Sequence, residues 1–227
     1  MRIKGIDRSS TVDKVVAALR QAMFDGDLPP GEALREVLLS QSIGVARSTI
    51  REALRVLATN GLVARMPNRG LAVRHLTIAE VEDIFTARQV LEREAAKAAG
   101  TCPEERLQEF SRAFDAYADA VSRNDASASA NGHVEFHTAM VGLTGSRRLA
   151  ETERSLLRDL QLVIASIEKS SDDQPKEVEK HRKLLRLFCE RNVAEAIECL
   201  EGDLDHAKAF ICRHAIDAPK PPVALAG

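Results

Sequence analysis

Nowhere in these 227 residues does an apolar run approach the roughly 20 residues that a membrane-spanning helix needs, which excludes a helical membrane protein. The N-terminus, MRIKGIDRSS, lacks the apolar stretch of a signal peptide, so a cytoplasmic protein is expected. Cysteine is sparse. Cys102, Cys189, Cys199 and Cys212 show neither C-x-x-C spacing nor the density of a disulfide scaffold, which argues against thiolate-held zinc and suits small buried hydrophobes in a reducing compartment. No internal repeat is evident. What is present, 44% hydrophobic residues, is enough for one large core or two smaller ones.

Net charge is also scarce, at -2, but the total hides an asymmetry. Residues 1–75 carry 12 Lys+Arg against 7 Asp+Glu, and residues 76–227 carry the remaining 20 against 27. A basic module facing nucleic acid, followed by an acidic module with another task, fits that division.

The basic part has a helical period from Val12 to Phe24 that stops at Gly26, and DLPPG then turns the chain. A short helix through LREVLLSQSIG leads into ARSTIREALRVLATNG, where Ile50, Leu54 and Leu57 share one face. Two helices joined through a glycine-containing turn make a helix-turn-helix. LVARM and GLAVRHL alternate around Pro67-Asn68-Arg69-Gly70 as a hairpin, which completes a winged helix-turn-helix over residues 1–75. Arg47, Ser48, Thr49, Arg51 and Arg55 lie on the polar face of the third helix, whose N-terminal turn would enter the major groove, where arginine can bond guanine bidentately. Arg35, together with Arg65, Asn68, Arg69 and Gly70 around the wing, completes the expected DNA-binding set, with the wing suited to phosphate or the minor groove. The bland alternative is a solvated arginine face.

GDLPPGEALRE followed by IGVARSTIREALRVLATNGLVARMPNRGLAV resembles the DNA-binding domain of GntR-family transcription regulators. Members of that family often have Ser or Thr where this chain has Ala46, at the N-cap of the recognition helix. Losing that hydroxyl costs about 1 kcal/mol unless Ser48 or a phosphate substitutes.

Beyond Thr77 strand signals almost vanish. Thr77 and Glu80 have capping-box spacing ahead of the apolar stripe Val81, Ile84, Phe85, Val90, Leu91. Further helices are expected over roughly 103–123, 126–143, 147–170, 174–190 and 193–216. Short loops between them imply antiparallel neighbours, so the fold class is mainly α: a winged helix-turn-helix, then an antiparallel helical bundle over 76–217, then a flexible Pro-rich tail over 218–227.

Within the bundle, NGHVEFHTAM places His133 and His137 four residues apart, one turn along a shared helix face. Such a pair is more often ordinary than metal-binding. His181 and Asp203 stand eleven residues before and after Asn192, close to three turns each way, so a reversal at Asn192 puts both side chains level. His206 competes with Asp203 for that position. Zn²⁺, Ni²⁺ or Mn²⁺ would all suit imidazole and carboxylate ligands.

ARQVLEREAAKAAG, VEFHTAM, EKHRKLL and RNVAEAIECLEGDLDHA resemble the FCD effector domain of the FadR-like subgroup. Many such domains hold a metal with an Asp and a His four apart on one helix and a His from each of two later helices. That resemblance assigns His133, His137, His181 and Asp203 as the metal ligands, with His133 standing at the usual Asp position and Asp203 at the usual His position. Arg88 matches an arginine common on the first effector helix, either clamping an effector carboxylate or pairing with Glu92 at i+4, a bond worth about 0.2–0.5 kcal/mol on an exposed helix.

The resemblance implies a cytoplasmic homodimer, most often a repressor in this family, that binds a palindromic DNA operator and responds to a small organic acid. The acid would act by shifting the relative placement of the two winged helices. One rival is a metal-dependent hydrolase or lyase fused to a DNA-binding domain, which no His-Glu-x-x-His motif supports; Glu135 would point away from the face of His133 and His137. The other is a DNA-binding dimer with no effector.

Overall fold

A computed structural model describes the backbone of residues 10–66, 70–170 and 174–216. The chain divides between His75 and Leu76 into two compact units. In the first, α1 (Thr11–Asp25) begins with a reciprocal capping box, Ser10 accepting from the Asp13 amide and Asp13 from the Ser10 amide. α2 (Glu36–Ile43) ends at Gly44, whose φ of 75° lies in the left-handed region that glycine enters without penalty. That turn delivers α3 (Arg47–Thr59), whose Ile50, Ala53, Leu54 and Leu57 are fully buried.

β1 (Val63–Met66) pairs antiparallel with β2 (Gly70–Val73), Val63 opposite Val73 and Met66 opposite Gly70. The segment after the PP turn does more than reverse the chain. Leu34 donates its amide to the Leu71 carbonyl, and Val73 donates to Glu32, so residues 31–34 line the other edge of β2. The wing tip, with Asn68 and Arg69, lies outside the described residues, as does the tail 218–227.

The second unit is a bundle of α4 (Ile78–Ala99), α5 (Glu104–Ser122), α6 (Ala126–Gly142), α7 (Arg147–Ser170), α8 (Gln174–Cys189) and α9 (Val193–Ile216). Among the described residues it contains no strand, and no helix is long and apolar enough to cross a membrane. The mainly α class therefore holds, with helix ends within a residue or two of those expected. Thr77 and Glu80 form the capping box at the start of α4.

α4 packs against α9, and α6 is sandwiched between α5 and α7. The centre is aromatic, with Phe110 stacked on Phe136 at 4.8 Å and Phe188 tilted against Phe110. Gly132 permits the close approach of α6 to α5, since a Cβ there would stand 2.8 Å from the Tyr117 Cα. This crossing carries the next residue, His133, into the bundle.

Candidate functional site

His133 and His137 leave α6 one turn apart, and α8 brings His181 against them. One nitrogen from each of the three rings falls within 4.8 Å of the other two. Ring centroids are 4.7 Å apart for His133 and His137, 5.1 Å for His133 and His181, and 5.3 Å for His137 and His181. The Tyr117 ring meets His133 and His181 edge-on. Of the four residues expected as ligands, the structure brings three together. Asp203 on α9 lines the same cavity but lies outside that cluster, as does exposed His206.

Hydrogen bonding sets which nitrogens are free. His181 Nδ1–H donates to the Glu177 carbonyl at 2.7 Å, leaving Nε2 as a lone pair. His137 Nδ1 stands 3.4 Å from both the Glu92 carboxylate, which only accepts, and Arg88 Nη2, which only donates; in the tautomer that donates Nδ1–H to Glu92, His137 also presents Nε2 as a lone pair. The two Nε2 atoms stand 3.2 Å apart. Lone pairs at that separation repel unless a proton or cation lies between them. Zn–N bonds of about 2.0–2.1 Å at the tetrahedral angle would place two nitrogens roughly 3.3 Å apart, so the spacing fits a metal. His133 Nδ1 is buried with no hydrogen-bond partner, another donor atom that a cation would satisfy.

Burial pushes all three imidazoles toward the neutral form that ligates metals. His133 is held well below its ordinary pKa by burial and then by its two neighbouring histidines. His181 falls to about 3, chiefly through burial and then through His137. For His137 burial also dominates, although Glu92 opposes it. The sign of the stability effect follows from these directions. Below the unfolded pKa of about 6.5 the unfolded chain takes up protons that the folded chain refuses, so stability is lost as pH falls from about 6.5 toward 3. Urea titrations of chelator-treated protein are expected to show this loss, at up to about 1.4 kcal/mol per pH unit for each histidine. A flat stability profile between pH 7 and 5 would contradict it.

Beneath the triad lies a buried ionic network. Arg88, 3% exposed, donates through Nε and Nη2 to Glu92 Oε1 at 3.0 and 2.6 Å, and through Nε to Glu153 Oε1 at 3.0 Å. Burial raises the Glu92 carboxyl, but the Arg88 guanidinium and then His137 bring it below the ordinary value. Burial and the charge on Glu92 drive Glu153 well above it. Of the two carboxyls, Glu92 is the one favoured as the anion beside Arg88, and Glu153 is the one that takes up a proton more readily. The i+4 pair with Glu92 exists, but its complete burial makes the exposed-helix figure of about 0.2–0.5 kcal/mol inapplicable.

Glu153 was missed in the sequence. The available signal was a charged residue at the second position of the α7 stripe Leu149, Glu153, Leu156, Leu160. Glu135 is hydrogen-bonded through both oxygens to Arg154 on the exposed surface.

In the first unit, Arg47, Ser48, Arg51 and Arg55 occupy the exposed face of α3, with Thr49 half-buried at its edge. Arg35, Arg65 and Gly70 are exposed as well. Ala46 is the N-cap of α3 and supplies no side-chain bond. Arg51 is not free: its Nε and Nη2 bond the two Glu36 oxygens at 3.0 and 2.8 Å. Glu36 and Arg51 are 15 positions apart, and no spacing rule announces that pair.

The profile of bacterial regulatory proteins of the gntR family matches residues 11–73, and that of the FCD domain matches residues 83–206, more than half of the chain. This chain belongs to the gntR family, with an FCD domain. A GntR transcriptional regulator structure from Rhodococcus sp. RHA1 superposes with a TM-score of 0.70 at 26% identity, covering 88% of this chain and 96% of that one. The HTH-type transcriptional regulator YdhC of Bacillus subtilis is 38% identical over 35% of this chain. The gluconate operon transcriptional repressor of Bacillus licheniformis is 30% identical over 61%. Those two matches span 35% and 57% of the relatives' own lengths. Within the FCD domain of this gntR-family chain fall the histidine triad, Arg88, Glu92, Glu153 and Asp203.

Proposed function

We propose that this chain is a homodimeric transcriptional repressor whose grip on a palindromic operator is set by a small organic acid bound, with a divalent metal, inside the helical domain. The histidine triad carries this reading: three neutral imidazoles converge at the end of a cavity of about 180 Å³ in a chain whose other unit is a winged helix-turn-helix. His133, His137 and His181 would hold the metal. A metal with three protein ligands keeps an open position that a carboxylate can take. Asp203, half-buried on the same cavity, is the chain's own candidate for that position.

Arg88 is assigned chiefly to holding Glu92 against His137, since its Nε and Nη2 are committed. Only the Nη1 side of the fork is left to an effector carboxylate. Glu135 is engaged at the surface and the buried glutamates are tied to Arg88, which supports a chain that acts by binding. The name of the gluconate operon repressor supports repression.

Arg35, Arg47, Ser48, Thr49, Arg51, Arg65 and Gly70 are the proposed DNA contacts among the described residues, with Asn68 and Arg69 at the wing tip. Arg51 reaches a base only if DNA displaces Glu36, or if Glu36 holds it in place through one oxygen. Duplexes selected by the wild-type chain from a random pool test this directly. They should contain an inverted repeat bound by two chains. Arg47→Ala or Arg51→Ala should weaken the selected site by about 1–3 kcal/mol. Unchanged affinity would remove that residue from the interface. The acid alters operator affinity only if it binds one conformational state better than the other.

A further inference from the structure

The cavity beside the triad is chemically lopsided, and its shape narrows the class of acid. Along α9, Leu200, Leu204, Ala207 and Ile211 fall at i, i+4, i+7 and i+11, one continuous stripe that lines the cavity. Ile164 and Phe85 face it from α7 and α4. None of these side chains donates or accepts a hydrogen bond.

The charged groups on the lining stand off that stripe. Lys180 on α8 gives one of its three N–H donors to Glu177 at 2.6 Å, and Arg88 on α4 is held by Glu92 and Glu153. Asp203 and His206 are themselves half-buried and exposed, on the neighbouring face of α9. The histidines are the polar side chains on this lining whose ring nitrogens converge.

We infer that the effector is a monocarboxylic acid with an apolar body about the size of one six-membered ring, and not a polyhydroxylated sugar acid. The inference rests on the proposed triad site and adds the other half of the ligand. A cavity of about 180 Å³ is slightly larger than an apolar cavity of about 150 Å³ known to accept benzene. Acetate would leave most of it empty. A sugar acid would bury several hydroxyls against the leucine stripe with no partners, which binding sites penalise heavily.

Calorimetric titration of the zinc-loaded full chain with benzoate, acetate and gluconate tests the inference, with zinc content measured alongside. Benzoate should bind at least about tenfold more tightly than acetate, and gluconate no more tightly than acetate. Ala207→Leu extends a side chain into the apolar end and should return benzoate to the acetate level with zinc content unchanged. Ala207→Val, a smaller intrusion, should give an intermediate loss and serves if the leucine variant fails to fold. Gluconate binding more tightly than benzoate, or a folded Ala207→Leu that leaves benzoate unaffected, would overturn the apolar body alone. Failure to retain zinc, or zinc-loaded protein that ignores all three acids, would remove the triad as an effector site and this inference with it.

Discussion

Arg88→Ala is expected to destabilise the helical domain by about 3–5 kcal/mol, the range for removing one partner of a buried ion pair. The size follows from what is left behind. Glu92 is 0% exposed and ionised, and its Oε1 would lose both hydrogen bonds from Arg88, while Oε2 already has no hydrogen-bond partner. An exposed i, i+4 pair such as Arg147 with Glu151 contributes only about 0.3–0.5 kcal/mol, so Arg147→Ala should have roughly a tenth of the effect. For a unit of this size, the loss corresponds to a fall in melting temperature of around 10 °C. Thermal unfolding of both variants measures it. A shift below about 1 kcal/mol for Arg88→Ala would show that the network is not closed as described. Glu92→Gln keeps the volume but weakens the acceptor for His137, and its predicted signature is a 10–100-fold loss of metal affinity, as for other groups that orient a ligand.

The second large effect is expected at the triad itself. Structural zinc sites bind with about 10–16 kcal/mol spread over their ligands, so deleting one imidazole should cost roughly 3–4 kcal/mol, or about 10²–10³ in metal affinity. His181→Ala is the cleaner probe: its ring adjoins the other two imidazoles and the Glu177 carbonyl, whereas His137 also belongs to the ionic network. His137→Ala should therefore lose metal and stability together. Competition with a chromogenic chelator would measure the affinity. A His181→Ala protein that binds zinc as tightly as the wild type would exclude His181 as a ligand.

Much of the architecture is legible because it is local. Thr77 and Glu80 announce the start of α4 through a capping rule spanning four residues, and the stripe Ile50, Leu54, Leu57 announces α3 through helical period. His133 and His137 share a face by the same period. His181 and Asp203 are singled out by the resemblance to the FCD domain, with the count outward from Asn192 setting them level, and both line the cavity. Counting along helices supplies level but not depth, which is why Asp203 stays outside the cluster that His181 joins.

What could not be read depends on contacts between distant positions. Glu153 meets Arg88 across 65 residues, and Glu36 meets Arg51 across 15. Neither distance corresponds to a local period. The pairing of residues 31–34 with β2 was hidden by the PP turn, whose strong signal describes a reversal and not what the chain does next. Burial was the other missing quantity. Arg88 and Glu92 look like a routine surface pair until α6 and α7 cover them.

The histidine triad as a metal site is the central claim, and elemental analysis after equilibrium dialysis tests it most directly. Wild-type chain dialysed against micromolar zinc should retain one metal ion per chain, and His133→Ala, His137→Ala and His181→Ala should each retain far less while still binding the selected DNA duplex. Wild-type protein that retains no metal, or folded variants that retain a full equivalent, would contradict it.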